Sequence, residues 1–389
     1  KQKINGKPII YFDSSCVTLK PKQVVEAMNE YYEEYPGCAG RSIHKFGNRV
    51  TDKVKESRET IAKFIGAKKP EEIIFTRNTT EGINLLAHSL GLKKGDIILT
   101  TDREHNSNLL PWQVLAKTVG IKHKIVYSKK DMTFDINGFE KIVKDAKLVS
   151  FVHTSNLDGY TLPIEEIIKI AHDNDALVIF DGAQSVPHKS VNVKKLDVDF
   201  FAFSGHKMLG PSGTGALYGK QHLLEELNPF MVGGDTVQKS TYDSCIFLKP
   251  PEKFEAGLQN YAGIVGFAAA AEYLDKIGKE NIQKHEIELN RIITQAIENI
   301  DGLSIIGPSS PELRGGIISF NIEGINHHDI AMMLDERANI MIRSGQHCVH
   351  SWFNAHGIDG SARVSLYLYN TKEEAKVFID NLKEISKLR

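Results

Sequence analysis

The sequence has few cysteines and no long apolar segment. Its 389 residues contain only 4 cysteines, at positions 16, 38, 245 and 348, and none of them forms a Cys-x-x-Cys pair. This spacing argues against a disulfide scaffold and against structural zinc, so we expect no metal site. The longest apolar runs have the length of a strand, far below the roughly 18–20 residues of a membrane span. No secretory signal is visible, and we expect a protein of the reducing cytoplasm that does not contact membranes.

The sequence also lacks an excess of charge of one sign. Lys and Arg number 48 against 49 Asp and Glu, which leaves a formal net charge of −1. No basic stripe indicates a nucleic-acid partner, and no block of like charges indicates a disordered tail. A chain of this length can bury a large core and is predicted to form two lobes. Strand-like apolar runs alternate with helical patterns, which is typical of a doubly wound α/β sheet.

Two of these apolar runs end in charged residues. Residues 200–203 are apolar and aromatic, and they lead directly into Ser204-Gly205-His206-Lys207. A lysine at the end of a buried strand can lose its proton and become a nucleophile, although such a lysine taken alone is more often on the surface. Residues 176–180 form a similar run that ends in Asp181. An aspartate opposite a lysine of this kind is the pairing expected for pyridoxal phosphate, although a lone aspartate is more often a helix cap.

Further segments extend this pattern along nearly the whole chain. With them, the chain resembles the fold-type I pyridoxal-phosphate enzymes of the class V aminotransferase group. More closely, it resembles the group II cysteine desulfurases, the type that serves SUF iron–sulfur assembly and is related to selenocysteine lyases. The segments that carry the resemblance are Arg77-Asn78-Thr79-Thr80-Glu81-Gly82, Glu104-His105-Asn106-Ser107-Asn108, Asp181-Gly182-Ala183-Gln184, Ser204-Gly205-His206-Lys207, Phe254-Glu255-Ala256-Gly257, Arg343-Ser344-Gly345-Gln346-His347-Cys348 and Arg363-Val364-Ser365.

The resemblance implies a fold and a domain division. It implies a large, doubly wound, mostly parallel sheet of the seven-stranded type, in a pyridoxal-phosphate-binding domain of residues 16–257. A smaller α+β domain would comprise residues 1–15 and 258–389 and would carry the loop with Cys348. It also implies a homodimer.

The resemblance assigns the cofactor contacts residue by residue. Lys207 would bind pyridoxal phosphate covalently, Asp181 would hold its ring nitrogen protonated, and His105 would stack on the ring and move protons. Asn156 and Gln184 would contact the phenolic oxygen of the ring. The phosphate would lie against hydroxyls and N–H groups at a helix start, which form an anion site, although a threonine there can also be a plain cap. The residues assigned to the phosphate are Thr79, Thr80, Ser204 and His206.

A second group of residues would handle the substrate and its sulfur. Cys348 would be the nucleophile, and His347 with nearby positive charge would favour its thiolate, the reactive form. Arg363 would bind the α-carboxylate of L-cysteine, because a planar guanidinium suits a carboxylate better than lysine does, and Arg343 would assist. The predicted reaction converts L-cysteine to L-alanine and leaves a persulfide on Cys348. An acceptor protein would then take the sulfur for iron–sulfur cluster assembly.

The chain departs from the family pattern at a few positions. Ser14-Ser15-Cys16 stands where relatives often carry alanines, and Gln346 replaces a histidine. Val232 and Leu258 replace the glycine and threonine that relatives lend to the phosphate of the partner subunit. These departures leave two alternatives open, namely a selenocysteine lyase or other class V β-eliminating enzyme, and a sulfur-trafficking binding protein that has lost catalysis.

The remaining cysteines receive weaker predictions. Cys16 and Cys245 are interpreted as small buried hydrophobic residues, and the role of Cys38 stays open.

Overall fold

The computed structural model describes residues 2–389. Its strands, in chain order, are β1 (Lys3–Ile4), β2 (Lys7–Pro8), β3 (Ile10–Tyr11), β4 (Ile73–Thr76), β5 (Ile97–Thr101), β6 (Lys122–Val126), β7 (Ala146–Val152), β8 (Leu177–Asp181), β9 (Phe200–Ser204), β10 (Gly215–Gly219), β11 (Val237–Ser240), β12 (Cys245–Phe247), β13 (Leu303–Ile306), β14 (Ile317–Ile322), β15 (Ile340–Met341), β16 (Arg343–Gly345) and β17 (Ser361–Ser365).

The α-helices connect and cover these strands. In chain order they are α1 (Lys22–Glu34), α2 (Lys45–Phe64), α3 (Thr79–Ser89), α4 (Asn106–Thr118), α5 (Ile136–Ile142), α6 (Ile164–His172), α7 (Val193–Leu196), α8 (Gln221–Glu226), α9 (Tyr261–Ile277), α10 (Lys279–Ile297), α11 (Pro311–Arg314), α12 (His327–Ala338), α13 (His350–His356) and α14 (Lys372–Ser386). Single 3₁₀ turns lie at Pro70–Glu72, Val143–Asp145, Gly205–Lys207 and Glu252–Phe254.

The centre of the molecule is a seven-stranded sheet in the order β4-β10-β9-β8-β7-β5-β6. The neighbours from β9 through β8, β7 and β5 to β6 are parallel, whereas β10 runs antiparallel to both β9 and β4. The predicted mostly parallel α/β sheet is therefore confirmed.

Strand β9 shows why the central strands read as continuous apolar runs. Successive side chains of a strand point to opposite faces. Phe201 and Phe203 lie in the core on one face of the sheet, and Phe200 and Ala202 lie in the core on the other. Helices cover both faces, so every residue of the strand is buried and no polar alternation is needed.

The carboxyl ends of β5, β7, β8 and β9 all meet at one edge of this sheet, because these strands are parallel. Strand β4 ends at the same edge, since it is antiparallel to β10, which in turn is antiparallel to β9. Open α/β sheets bind their ligands at this edge. The segments that follow these strands therefore converge on one place.

A second sheet forms the smaller lobe. It is antiparallel, with four strands in the order β13-β14-β17-β16. The N-terminal strand β3 joins this lobe by pairing in parallel with β15. The chain changes partner between β15 and β16. Met341 pairs with Tyr11, whereas Arg343 pairs with Arg363.

Helix α9 packs with the large lobe. Its residues Tyr261, Ile264 and Phe267 belong to the same apolar core as Val24 of α1 and Ile61 of α2. The predicted division placed the start of the small lobe at residue 258. We propose instead that the boundary lies near Gly278, between α9 and α10, because the apolar face of α9 is covered by α1 and α2.

Two absences concern the described part of the chain. Within residues 2–389, no helix is both long enough and apolar enough to cross a bilayer. No group of three or more His, Cys, Asp or Glu side chains in this range is placed to hold a metal ion.

Glu255 connects three segments of the large lobe. Its carboxylate accepts two hydrogen bonds from the Arg58 guanidinium, at 2.7 and 2.8 Å, and one from the Phe75 backbone N–H at 2.7 Å. Both side chains of the ion pair are nearly buried, with 11% and 8% of their surface exposed. The Phe254-Glu255-Ala256-Gly257 segment therefore fixes helix α2 against strand β4.

We expect Glu255→Ala to lower the free energy of unfolding by about 3 kcal/mol, because it leaves the Arg58 guanidinium buried without its partner. Denaturant unfolding measures this loss. Glu26→Ala is the matched control, since it removes an exposed ion pair with Lys22 and should cost at most about 0.5 kcal/mol. An equal, small loss in both variants would contradict a structural role for the buried pair.

Candidate active site

A cavity of about 300 Å³ opens where the carboxyl edge of the large sheet meets the small lobe. All of the predicted site residues line it. They are Thr79, Thr80, His105, Asn156, Asp181, Gln184, Ser204, His206, Lys207, Arg343, Cys348 and Arg363. Nine of these residues come from the large lobe and three from the small lobe, so neither lobe forms the cavity alone.

Lys207 and Asp181 are the central charged pair of the cavity. Asp181 is the last residue of β8, and Lys207 ends the 3₁₀ turn that follows β9. Burial lowers the pKa of the Lys207 ammonium, and the Asp181 charge opposes this only in part. Burial likewise raises the pKa of Asp181, while Lys207 and a backbone hydrogen bond from Ala183 lower it. The lysine is thus prepared to give up its proton and act as a base or nucleophile.

The start of helix α3 forms one end of the cavity. Asn78 caps this helix by accepting a hydrogen bond from the Glu81 backbone N–H at 3.0 Å. Ser204 Oγ accepts a hydrogen bond from the Thr79 backbone N–H at 2.8 Å and lies 2.6 Å from Thr79 Oγ1. Thr80 Oγ1 lies 2.7 Å from Ser107 Oγ of helix α4. Hydroxyls at two helix N-termini suit an anion such as a phosphate.

His105 lies at the N-terminus of α4 and is neutral. Burial, together with the positive charges of Lys207 and Arg363, lowers its pKa to about 3. Its Nδ1 accepts a hydrogen bond from the Ser107 backbone N–H at 3.1 Å, so the ring proton is on Nε2. A neutral imidazole can lie against a flat aromatic ring without adding charge to the site.

Asn156 and Gln184 make contacts that the sequence did not predict. The Asn156 side-chain amide donates to the His347 backbone carbonyl at 2.7 Å, and this ties the small-lobe loop to the end of β7. The Gln184 amide donates to the Ser15 carbonyl at 2.8 Å. Gln184 Oε1 is buried and has no hydrogen-bond partner in the described structure.

Cys348 lies in a loop with an unusual backbone. His347 and Cys348 have φ values of 50° and 60°, in the left-handed region that residues with a Cβ rarely adopt. The Asn106 backbone N–H donates to the Cys348 carbonyl at 2.8 Å and holds this turn against the start of α4. Strain of this kind, of order 1–3 kcal/mol per residue, is typical of functional sites.

His347 was predicted, together with nearby positive charge, to favour the Cys348 thiolate, but its own imidazole carries no positive charge in this environment. His347 is buried, and burial together with Arg363 and Arg343 lowers its pKa to about 2. Its Nε2 lies 2.8 Å from Ser361 Oγ. The imidazole is therefore neutral and has a positioning role, and the positive charge near the cavity comes from the two arginines.

Arg363 extends from β17 into the cavity. Its Nη1 donates to the Asn156 carbonyl at 2.9 Å, and its Nη2 lies 3.4 Å from the Asp13 carboxylate. Its Nε is buried without a partner in the described structure, although only 3% of the residue is exposed. The guanidinium is thus held on two sides and can still donate to a ligand.

Two cysteine predictions need correction. Cys16 is half-buried rather than buried, and it lines the cavity, where it accepts a hydrogen bond from Arg343 Nη1 at 3.3 Å. Cys245 is exposed, because it lies on the β11–β12 hairpin. Cys38 lies 3.9 Å from the Tyr261 hydroxyl, outside the cavity. The replacement of a family alanine by Cys16 was the sequence signal for its position near the ligand.

Glu104 was also missed as a positioning residue. It is buried beside the cavity, and burial raises its pKa to about 7 in spite of its hydrogen bonds. It accepts from Thr101 Oγ1, from the Asn108 amide and from the Val152 backbone N–H. It therefore fixes the turn that carries His105 against strands β5 and β7.

The cavity fits pyridoxal phosphate. A lysine with a lowered pKa faces an aspartate across it, and hydroxyls at helix N-termini form an anion site at one end. Gln184 Oε1 and Arg363 Nε are buried and lack partners in the described structure, as expected where a polar ligand completes the hydrogen bonding.

Comparison with known proteins shows what the chain is similar to. Residues 10–378 match the aminotransferase class-V family. The cysteine desulfurase of Haloferax volcanii is 39% identical, over 96% of this chain and 88% of the relative. The apo structure of the cysteine desulfurase from Thermococcus onnurineus is 41% identical with a TM-score of 0.95, covering 98% of this chain and 95% of the other. The Escherichia coli cysteine desulfurase CsdA is 31% identical with a TM-score of 0.90, over 97% and 94%.

We expect stability to fall between pH 6.5 and pH 5, because buried histidines such as His105 and His153, with pKa lowered to about 3, stay neutral in the folded state. The unfolded chain binds their protons near pH 6.5, so acid favours unfolding, by about 2 kcal/mol per histidine at pH 5. Denaturant unfolding at pH 7, 6 and 5 measures this slope. His153→Gln should reduce it by about that amount, with the exposed His222→Gln as the control. An unchanged slope in His153→Gln would contradict the neutral histidine.

Proposed function

Because the chain belongs to the aminotransferase class-V family, we propose that its cavity carries out the reaction of a pyridoxal-phosphate-dependent cysteine desulfurase. The enzyme converts L-cysteine to L-alanine and places the sulfur on Cys348 as a persulfide. The observation that carries this proposal is the convergence of Lys207, Arg363 and Cys348 on one cavity. These residues supply a base, a carboxylate-binding group and a sulfur nucleophile.

The residues that would hold the cofactor divide by chemistry. Lys207 would bind its aldehyde carbon, Asp181 would keep the ring nitrogen protonated, and His105 would lie against the ring. Thr79, Thr80, Ser204 and His206 would surround the phosphate, with Asn156 and Gln184 near the phenolic oxygen. When bound, pyridoxal phosphate withdraws electrons from the Cα of an amino-acid substrate.

Lys207 is the proton carrier in this proposal. Its Nζ has a lowered pKa because it is buried, so it can accept the proton that leaves the substrate Cα. The same nitrogen can return a proton to the carbon that becomes the methyl group of alanine. Asp181 stays close to this nitrogen and limits how far burial lowers its pKa.

Arg363 orients the substrate. The Asn156 carbonyl and Asp13 fix two of its nitrogens, and its Nε remains available to donate to a carboxylate. Because the guanidinium is buried, its hydrogen bond to a carboxylate is stronger than at the surface. Arg343, in the neighbouring strand β16, adds a second positive charge.

Cys348 receives the sulfur. Its thiolate attacks the substrate sulfur, a bond forms between the two sulfur atoms, and the bond between Cβ and sulfur breaks. The electron pair of that bond stays with Cβ, which takes up a proton to give alanine. The left-handed turn at His347 and Cys348 holds the thiol toward the cavity, where this attack is possible.

The persulfide would then pass to an acceptor protein or thiol for iron–sulfur cluster assembly. A reducing compartment such as the cytoplasm suits this chemistry, because the four cysteines are all free in the described structure. The alternative substrate is L-selenocysteine. The rates of the enzyme with L-cysteine and with L-selenocysteine would show which of the two it prefers.

We also propose a homodimer. Several large apolar side chains of the large lobe are exposed, including Met231 (45%), Val232 (62%) and Leu258 (70%). A second cavity of about 320 Å³ lies beside them, lined in part by Phe230, Met231 and Leu258. Exposed apolar patches of this kind indicate a protein contact, and the family resemblance indicates a second copy of this chain as the occupant.

The first experiment is a visible spectrum of the purified protein before and after addition of L-cysteine, with alanine and sulfide assayed in the same tube. We expect a cofactor absorption band that changes, and alanine and reducible sulfur formed in equal amounts. Absence of the band after added pyridoxal phosphate would overturn the assignment of Lys207 and of the cofactor site. A cofactor band without alanine formation would overturn the assignment of L-cysteine as the substrate.

Cys348→Ser should keep the cofactor band, because Lys207 and Asp181 are untouched, but should lower alanine formation by at least about 100-fold, since no thiolate can attack the substrate sulfur. Alanine formation under single-turnover conditions measures this. Cys38→Ser, which lies outside the cavity, is the matched control. Undiminished alanine formation in Cys348→Ser would exclude this cysteine as the nucleophile.

Leu258→Glu and Val232→Glu should weaken the dimer by at least about tenfold, because each places a charge in an apolar interface. The mass measured by light scattering over a range of concentrations tests this. Leu388→Glu, at an equally exposed position near the C-terminus, should leave the dimer intact. A wild-type monomer at all concentrations would contradict the interface.

A further inference from the structure

Cys16 places a second thiol in the active-site cavity. It follows strand β3 and lines the same cavity as Cys348 and Lys207. Both cysteines lie near enough to Lys207 to influence the pKa of its ammonium, which each of them raises. The two sulfurs therefore face one small volume from opposite segments of the chain, one near the N-terminus and one in the 345–348 loop.

Arg343 contacts Cys16 and precedes Cys348 by five residues in the chain. Its Nη1 donates to Cys16 Sγ at 3.3 Å. A guanidinium can only donate, so the sulfur is the acceptor. Arg343 is also the first residue of β16, the strand that leads into the loop with Cys348. The strand that leads to one of the two thiols therefore also contacts the other.

The surroundings of Cys16 are built for a polar ligand. Gln184 donates to the carbonyl of Ser15, the residue before Cys16, and this fixes the Cys16 backbone to the cavity wall. Gln184 Oε1 and Arg363 Nε line the same cavity and have no partner in the described structure, while only 3% of each residue is exposed. Cys16 therefore shares its cavity with polar groups that are free to bind a ligand.

We propose that Cys16 accepts the outer sulfur of the Cys348 persulfide. This proposal rests on the proposed function, because Cys348 must first be loaded. The Cys16 thiolate attacks the outer sulfur, a new sulfur–sulfur bond forms at Cys16, and the bond to Cys348 breaks. Cys348 leaves as a thiolate and takes up the proton that Cys16 lost. One persulfide is consumed and one is formed, so the step needs no oxidant or reductant.

The transfer frees the Cys348 thiol while the first sulfur stays on Cys16. A second molecule of L-cysteine can then react before any acceptor arrives. Without acceptor or reductant, each chain should therefore store about two sulfur atoms and release about two alanine molecules, whereas a single thiol stores about one.

The test uses the pyridoxal-phosphate-loaded protein with excess L-cysteine and no reductant. Alanine is counted in the initial burst, and the cysteines are alkylated and identified by peptide mass spectrometry. We expect persulfide on both Cys16 and Cys348, and a burst about twice that of Cys16→Ala and Cys16→Ser. Cys245→Ser, which removes an exposed thiol outside the cavity, should match the wild type. Cys348→Ser should carry no persulfide on Cys16.

The outcomes separate the two proposals. Persulfide on Cys348 but none on Cys16, or an unchanged burst in Cys16→Ala, overturns the transfer and leaves the desulfurase intact. Persulfide on Cys16 in Cys348→Ser also overturns the transfer, because Cys16 would then be loaded directly. A Cys16–Cys348 disulfide with released sulfide would show attack on the inner sulfur and overturn it too. If no alanine forms and no sulfur is found on Cys348, the proposed function itself is overturned.

Discussion

The partial removal of the Lys207 ammonium from water is the constraint on which the rest of the structure depends. An isolated buried charge is expensive, and Asp181, the nearest negative charge, is itself buried. Asp181 ends strand β8, and Lys207 follows strand β9. Because these two apolar strands are parallel, their carboxyl ends lie at the same edge of the sheet and bring the pair together. The continuous apolar run of β9 is therefore part of the chemistry, since it keeps water away from the strand that leads to Lys207.

The cavity depends equally on the N-terminal segment, which connects the two lobes. Strand β3 pairs with β15 in the small lobe, and the Ser15 backbone N–H donates to Ser365 Oγ at 3.0 Å. On the other side, the Ser15 carbonyl accepts from Gln184 of the large lobe. Because this segment touches both lobes at the cavity, a change at Cys16 acts on the reacting groups directly.

The sequence predicted the fold, and the residues that it singled out line one cavity, because most of the information is local. A buried strand that ends in Asp181, and another that ends before Lys207, can be read from short windows of sequence. The remaining site residues were assigned through the family resemblance, because the motifs follow one another along the chain in the family order. The large parallel sheet follows from the same alternation of strands and helices.

Other features depend on contacts between distant segments, and the sequence alone did not predict them. The split of residues 340–343 depends on which strands lie on either side. The neutral state of His347 depends on burial and on the charges of Arg363 and Arg343, and the contact of Cys16 with Arg343 joins segments more than 300 residues apart. In each case the local pattern is compatible with two outcomes, and contacts outside the local segment decide between them.

The pairing of β3 with β15 also has a consequence for synthesis of the chain. The large sheet is complete once β10 has been made, but Ile10 and Tyr11 find their partners only at Ile340 and Met341. Pairing over such sequence separation is slow, since a long loop must close first. During translation strand β3 therefore has no β15 to pair with until residues 340 and 341 have left the ribosome. The cavity is assembled last, and a truncated product cannot form the complete site.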